Sequence, residues 1–292
     1  MLERTILFDL FHNEMLNIEE KDFSEFLNLL KRINLKIKKN ETKNLTKKIL
    51  ENVDILVIGN PIDDYFSNIE IKDICDFVRM GGGLLLISEY GADYLQKTNL
   101  NDISGSNFGI FFEKNLVKEL NNSDQKKSSI LHVQNFKKNK ITNNLRELVI
   151  GGTCSLMLKK DALPLLESHN ENIWTEIFKN SKEEWVKDKE EKQILAAYTE
   201  SGQGKVVALG DVDMFTNDHN IGINSLDNYI FLQNILNWLT KPVKESNVFS
   251  YVLNQIGIMQ NEIKELNKTI NNIIETMTIL EKRISHLEEK ED

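Results

Sequence analysis

Polar side chains that can bind a ligand follow four segments that have the composition of β-strands. They are His12 and Asn13 after the first strand, Asn60 after the third, Glu89 and Tyr90 after the fourth, and Asp211 and Asp213 after the last. In an open α/β sheet, ligands bind outside the carboxyl ends of the strands. Carboxylates and an imidazole that converge there can hold a divalent metal or perform acid–base chemistry, although the spacing requires neither. We therefore treat these residues as candidates for ligand binding and assign no catalytic residue, metal or cofactor.

Several of these residues also have a purely structural interpretation. His12 fits a polar residue that fixes the loop after the first strand, and Asp211 can brace its turn through hydrogen bonds to neighbouring amides. Glu89 stands on the tight turn after a buried strand, where related folds expose a nucleophile, but no G-x-S-x-G or G-x-C-x-G motif surrounds it. Cys75 falls within a predicted helix and Cys154 has no plausible base in sequence, so both are expected in the core.

Alternating strand and helix patterns in the first half predict the elements that position these residues. Short β-branched or apolar runs at 5–10, 35–38, 54–58 and 84–88 predict strands. One helix is expected to start from a cap at Asn17 and reach about residue 33, and another is expected over 69–80, where the glycines at 81–83 end it. This alternation is typical of a doubly wound, mostly parallel α/β sheet.

The second half of the chain adds antiparallel strands. The runs 193–199 and 205–209 flank a glycine-rich connection at 201–204 that suits a hairpin, and a helix is expected over 226–239. Shorter strands are expected near 130–133, 148–150, 155–158 and 163–166, as an elaboration of the same sheet. We therefore predict an α/β domain over residues 1–243 and a separate segment over residues 244–292.

Apolar residues in that last segment follow a heptad pattern, in which spacings of three and four alternate. Position a is occupied by Ile256, Ile263, Ile270, Met277 and Ile284, and position d by Met259, Leu266, Ile273, Leu280 and Leu287. Mostly β-branched residues at a with mostly Leu at d favour a parallel two-stranded coiled coil. A heteromeric partner, a higher oligomer and a helix that covers its own domain remain open, because no polar residue at a fixes the register and Ile274 at e widens the apolar stripe.

Charge and composition exclude several classes of partner. The net charge of -9 argues against nucleic acid, whose phosphates require clustered Lys and Arg. The two cysteines indicate neither a disulfide framework nor a zinc site, which favours a cytoplasmic location. No signal-peptide core and no run of eighteen apolar residues occur, so we expect no membrane insertion.

Six motifs, taken in order, resemble a known group of domains. They are ILFDLFHNE at 6–14, GGGLLLISEYG at 81–91, TNLND at 98–102, FGIFF at 108–112, GKVVALGDVDMF at 204–215 and DNYIFLQNILNWL at 227–239. Over residues 1–243 the chain is similar to the class I glutamine amidotransferase-like domains of the non-catalytic branch. That branch includes the N-terminal domain of the fifty-two kilodalton intraflagellar transport subunit and GldG-type proteins.

The resemblance implies a flavodoxin-like sheet used for binding and assembly. Catalytic members of the family place a cysteine on the turn after the strand that follows the glycine run, and here Glu89 stands on that turn. The resemblance therefore implies a degenerate domain without amidotransferase activity.

The expected function is a non-enzymatic assembly or scaffold protein. Its coiled coil forms a homodimer or recruits a heteromeric protein partner, and its α/β domain binds a protein or a small ligand. A metabolite sensor that signals through the coil is a variant of this prediction. The alternative is a hydrolase or carbohydrate-related enzyme that uses His12, Glu89 and Asp211, with or without a metal.

Overall fold

A computed structural model describes residues 4–120, 127–169, 171–240, 259–260, 263–264, 266–274 and 276–278. The chain divides into two compact units, Met1–Val243 and Lys244–Asp292. The strands are β1 Arg4–Asp9, β2 Leu35–Asn40, β3 Ile55–Gly59, β4 Gly83–Ile87, β5 Ile110–Phe112, β6 Leu116–Leu120, β7 Lys127–Ser128, β8 Ile130–Val133, β9 Asn135–Phe136, β10 Leu148–Gly151, β11 Leu156–Leu158, β12 Leu163–Glu167, β13 Ile173–Lys179, β14 Glu184–Lys187, β15 Ile194–Ser201 and β16 Gly204–Leu209. The α-helices of the first unit are α1 Ser24–Arg32, α2 Lys47–Leu50, α3 Asn68–Arg79, α4 Ala92–Gln96, α5 Leu100–Phe108 and α6 Asn228–Leu239.

Parallel strands form the centre of the main sheet. The strand order is β2-β1-β3-β4-β16-β15-β11-β5, and the first five of these strands are parallel to one another. β15 pairs with β16 in the antiparallel sense, with Ser201 opposite Gly204. The mixed α/β sheet, its mainly parallel centre and the glycine-rich hairpin were predicted from the sequence, and the structure confirms them.

The middle of the chain does not form a simple elaboration of that sheet, so this prediction was wrong in part. β11 and β12 do join the main sheet, but β14-β13-β6-β7 form a separate four-stranded sheet and β10 pairs with β8. In the four-stranded sheet, Trp174 of β13 lies opposite Lys118 of β6, far away in sequence. Such pairs are fixed by tertiary packing, and a local pattern does not reveal them.

The first helix begins later than its predicted cap. Asn17 accepts a hydrogen bond from the Glu19 amide at 3.0 Å and forms a turn, whereas the α-helix starts at Ser24 after a short 3-10 segment. Asparagine side chains that bond to their own backbone two residues on favour such turns. The predicted cap is therefore a turn residue.

The central strands are buried on both faces because helices cover both sides of the sheet. Alternate residues of β4 point to opposite faces, so Leu85 and Ile87 pack in one cluster with residues of α1 and α6, and Leu84 and Leu86 pack in another with residues of α3 and α5. This arrangement holds the carboxyl ends of β1, β3, β4 and β16 together at one end of the sheet.

Both ends of α3 carry sequence signals that the structure uses. Ser67 and Glu70 form a capping box, in which each side chain accepts a hydrogen bond from the other residue's backbone amide. The helix ends at Arg79, and Gly81 follows with a φ of +113°, a conformation that glycine adopts at little cost. The predicted glycine cap therefore lies where the chain turns into β4.

β2 is one edge of the main sheet. Three of its residues, Lys36, Lys38 and Lys39, are exposed lysines. Charged side chains on an edge strand oppose its pairing with another chain.

Candidate functional site

Three carboxylates meet at the end of the sheet. Glu89 follows β4 and Asp211 follows β16, and these two strands are parallel neighbours with Ile87 opposite Leu209. Their carboxylate oxygens and one of Asp213 all lie within 4.8 Å of one another. The predicted convergence of these three candidates is therefore observed, because the two strands end at the same level.

Backbone amides hold two of these carboxylates in place. Glu89 accepts hydrogen bonds from the Tyr90 amide at 3.1 Å and the Val212 amide at 3.3 Å. Asp211 accepts hydrogen bonds from the Gly151 amide at 3.1 Å and the Asp213 amide at 2.7 Å. The cluster is thus built into the turns after the strands, which gives it a fixed geometry.

Burial and mutual repulsion shift the protonation of the cluster. Burial raises the pKa of Glu89 well above its usual range, and the charge of Asp211 raises it further. The pKa of Asp211 is raised by burial and by Asp213, and that of Asp213 by burial and by Asp218. Such a cluster favours a bound proton or a cation, and carboxylate oxygens are ligands that divalent cations accept.

Gly152 and Tyr90 border this cluster. A side chain at Gly152, whose φ is +63°, would place its first carbon 3.1 Å from Glu89 Oε1 and 3.4 Å from the Tyr90 ring. Tyr90 is 41% exposed as a residue, and its ring lies edge-on to Trp185, with 6.0 Å between the ring centroids. An exposed aromatic ring therefore stands beside the buried carboxylates.

His12 belongs to a different group of charges. Its Nδ1 lies 2.5 Å from Asp9 Oδ2 and its Nε2 lies 3.2 Å from Glu70 Oε1, with all three side chains buried. Burial lowers the pKa of His12, but the hydrogen bond and the charge of Asp9 outweigh it, so the pKa is raised overall. The ring also lies against Phe66, at a centroid distance of 4.1 Å. These contacts join β1 to the start of α3.

The two candidate asparagines lie in neighbouring turns. Asn13 donates from Nδ2 to the Ile62 carbonyl at 2.9 Å, and Asn60 is fully buried, with Nδ2 directed at Met15 Sδ. Both have a positive φ, which Asn tolerates better than most residues. The structure thus brings Glu89, Asp211 and Asp213 together, with Tyr90 at their side, and places His12 in its own ion-pair group.

Glu70 is a residue of this region that the sequence analysis missed. It receives hydrogen bonds from the Leu45 and Ser67 amides, both at 2.9 Å, in addition to its contact with His12. The spacing Ser67-x-x-Glu70 before an apolar run is a capping-box signature, which would have revealed its local role. Its contact with His12 has no signal in sequence.

The described part of the C-terminal segment is helical, and its predicted seam is exposed. Met259, Ile263, Leu266, Ile270, Ile273 and Met277 are 45–61% exposed. Ile274, at the predicted e position, is likewise exposed. The predicted seam residues Ile256, Leu280, Ile284 and Leu287 lie outside the described residues.

Comparisons with known proteins agree with this architecture. The IFT52 GIFT domain family matches residues 5–122. The mmIFT52 N-terminal domain is similar in structure, with a TM-score of 0.67 and 17% sequence identity, over 82% of this chain and 99% of that one. The predicted resemblance is confirmed.

Two bacterial proteins from Salmonella share this fold. Cytoplasmic protein STM1381 from Salmonella typhimurium LT2 has a TM-score of 0.52 and 16% identity, over 81% of this chain and 100% of that one. Cytoplasmic protein STM3548 from Salmonella typhimurium has a TM-score of 0.51 and 12% identity, over 81% and 98%. No curated protein matches the chain. Within the described segments, every helix is too short or too polar to cross a membrane.

Proposed function

We propose that this chain is a non-enzymatic assembly protein of the cytoplasm. Its GIFT-like domain serves as a protein- or ligand-binding module, and its C-terminal helix joins it to a second helix in a coiled coil. The match to the IFT52 GIFT domain supports a role in binding, because the resemblance to such domains implies a sheet used for binding and assembly. Glu89 at the turn where amidotransferases carry a nucleophilic cysteine supports a degenerate domain without catalysis.

The exposed apolar seam is the observation that carries the assembly role. Six side chains at a and d positions are each about half exposed in the single chain, although burial of one such side chain contributes roughly 1.5–3 kcal/mol. A monomeric protein rarely exposes a continuous apolar stripe of this kind. A second helix with the same narrow seam would cover it, because a and d side chains of one helix fill the holes of the other.

Light scattering coupled to size-exclusion chromatography tests this proposal. The full chain is expected to elute as an oligomer or, when co-expressed with its partner, as a complex. Replacing Ile270 and Ile273 with aspartate is expected to abolish that assembly and leave a folded monomer. Asn271→Asp combined with Asn272→Asp, which adds the same two charges between them at positions outside the seam, is expected to have no effect. Equal behaviour of the two variants would refute the coiled-coil role.

The carboxylate cluster favours a second candidate function, a metal-assisted hydrolase or carbohydrate-related enzyme. Glu89, Asp211 and Asp213 offer three oxygens to one point, and their shared repulsion would be relieved by a divalent cation. Metal analysis of the purified protein distinguishes this candidate from the first. Stoichiometric metal that disappears in a Glu89→Gln variant would support the enzyme, and its absence from both proteins would leave the assembly role.

A further inference from the structure

We propose that oxygen atoms beside the carboxyl ends of β1, β3 and β4 form a binding site for a small metal cation of the alkali or alkaline-earth class. The residues are Glu14, Asn60 and Ser88, which are 8%, 0% and 0% exposed. Among the described residues, both carboxylate oxygens of Glu14, the Oδ1 of Asn60 and the Oγ of Ser88 have no hydrogen-bond partner. Buried polar atoms nearly always have one, so unpartnered oxygens on neighbouring segments point to a bound ion or water.

The backbone brings the three residues to the same end of the sheet. β3 and β4 pair in parallel with Gly59 opposite Ile87, so the next residues, Asn60 and Ser88, are neighbours about 4.8 Å apart. The chain around Glu14 then runs antiparallel to the residues after β3, with a bridge to Pro61. The amide after Glu14 also donates to the Asn60 carbonyl at 3.0 Å. Three adjacent segments thus each contribute one unpartnered oxygen group.

Asp9 is a buried carboxylate of the same region whose oxygens do have partners. It contacts the His12 ring at 2.5 Å and accepts a hydrogen bond from Asn40 Nδ2 at 2.9 Å. Among the described residues, Glu14 has no such cation or amide side chain beside it: burial raises its pKa well above the usual range, and the Gly59 amide opposes that shift only in part. An unpaired carboxylate is costly to bury, and a cation would compensate its charge.

The chemistry of these unpartnered atoms indicates which kind of ligand they can bind. All of them are oxygens, one pair from a carboxylate, one from an amide and one from a hydroxyl. Asn60 directs its nitrogen at Met15 Sδ and leaves its oxygen unpartnered. Ser88 lies beside the Cys154 sulfur, a weak hydrogen-bonding atom that leaves the lone pairs of the Ser88 oxygen available. Hard cations prefer such oxygen ligands, whereas a nitrogen- or sulfur-binding metal would not be favoured here. The proposed site shares no residue with the Glu89, Asp211 and Asp213 cluster and does not depend on the coiled coil.

Thermal unfolding of the full chain in different salts tests the site. Sodium, potassium, magnesium and calcium chlorides are compared with choline chloride at matched ionic strength, because choline is too large for a buried site. One of the four metal cations is expected to raise Tm in a saturable way, by roughly 5 °C when its concentration reaches a hundredfold excess over its Kd. Glu14→Gln, which keeps the shape of the side chain and removes its charge, is expected to lose that rise.

Two further variants distinguish loss of this cation site from a folding defect and from an effect of the other carboxylate cluster. Ser88→Ala is expected to weaken the response in the same way, and it decides the matter if Glu14→Gln does not fold. Asp213→Asn is expected to keep the full response, because Asp213 belongs to the other cluster. The proposal is overturned if no salt raises Tm, in which case the oxygens bind water only. It is also overturned if the response survives in both Glu14→Gln and Ser88→Ala, or disappears only in Asp213→Asn.

Discussion

Replacing His12 with alanine is expected to lower the free energy of unfolding by about 3–5 kcal/mol. His12 contacts Asp9 at 2.5 Å and Glu70 at 3.2 Å, and the three side chains are at most 2% exposed. The substitution removes the cation and leaves two buried carboxylates facing each other's charge. Asp9 keeps its hydrogen bond from Asn40, and Glu70 keeps those from backbone amides, so the lower part of this range is expected.

Urea unfolding followed by tryptophan fluorescence measures this effect. At an unchanged slope, a loss of about 3 kcal/mol lowers the midpoint by about 1–2 M. His132→Ala is the matched control, because His132 lies 2.8 Å from Glu147 but its side chain is 57% exposed. Exposed ion pairs contribute about 1 kcal/mol or less. If the two alanine variants lost the same small amount of stability, the buried group would not join β1 to α3 as argued.

Three further predictions concern single residues of the domain. Burial raises the pKa of Asp93 from 3.8 to about 6, so the folded state binds the proton of this carboxyl more tightly than the unfolded state does. The free energy of unfolding is therefore expected to fall by about 3 kcal/mol as the pH rises between those values. Asp93→Asn should remove this dependence on pH, measured by urea titrations at several pH values. Lys205→Met is expected to cost about 1–3 kcal/mol, measured as a lower Tm, because the buried Nζ donates to the Trp238 carbonyl at 3.0 Å near the end of α6. Ser67→Ala is expected to cost about 1 kcal/mol in urea, because the side chain no longer accepts the Glu70 amide at 3.3 Å.

Each of these predictions has a result that would contradict it. A pH slope that persists in Asp93→Asn would assign the titration to another carboxyl. An unchanged Tm in Lys205→Met would mean that the packing of the lysine stem, which methionine reproduces, outweighs its hydrogen bond. A Ser67→Ala variant as stable as the wild-type protein would show that water replaces the cap.

Local patterns predicted the parts of this fold whose signals are local. The strand β4 consists of one glycine and an uninterrupted apolar run, and the hairpin at 201–204 carries its own glycines. The meeting of Glu89 and Asp211 also followed from sequence, because parallel neighbours end at one edge of a sheet. The four-stranded sheet did not follow, because β6 finds its partner β13 only through the packing of the whole domain.

The site was predictable as a set of residues but not as a set of contacts. Nothing local to His12 indicates that its ring lies between Asp9 and Glu70, which come from different elements. The Gly151 amide that holds Asp211 comes from β10, a strand of another sheet. Periodicity places side chains on faces, whereas these contacts depend on how loops close over the strand ends.

The lysines along β2 have a consequence for crowded conditions. A coiled coil between two copies would raise the local concentration of their domains far above that in the surrounding solution. Unprotected edge strands of the two domains would then tend to pair into one continuous sheet and cause aggregation. The exposed lysines on this border disfavour such pairing, which would leave tethered domains free to engage other molecules.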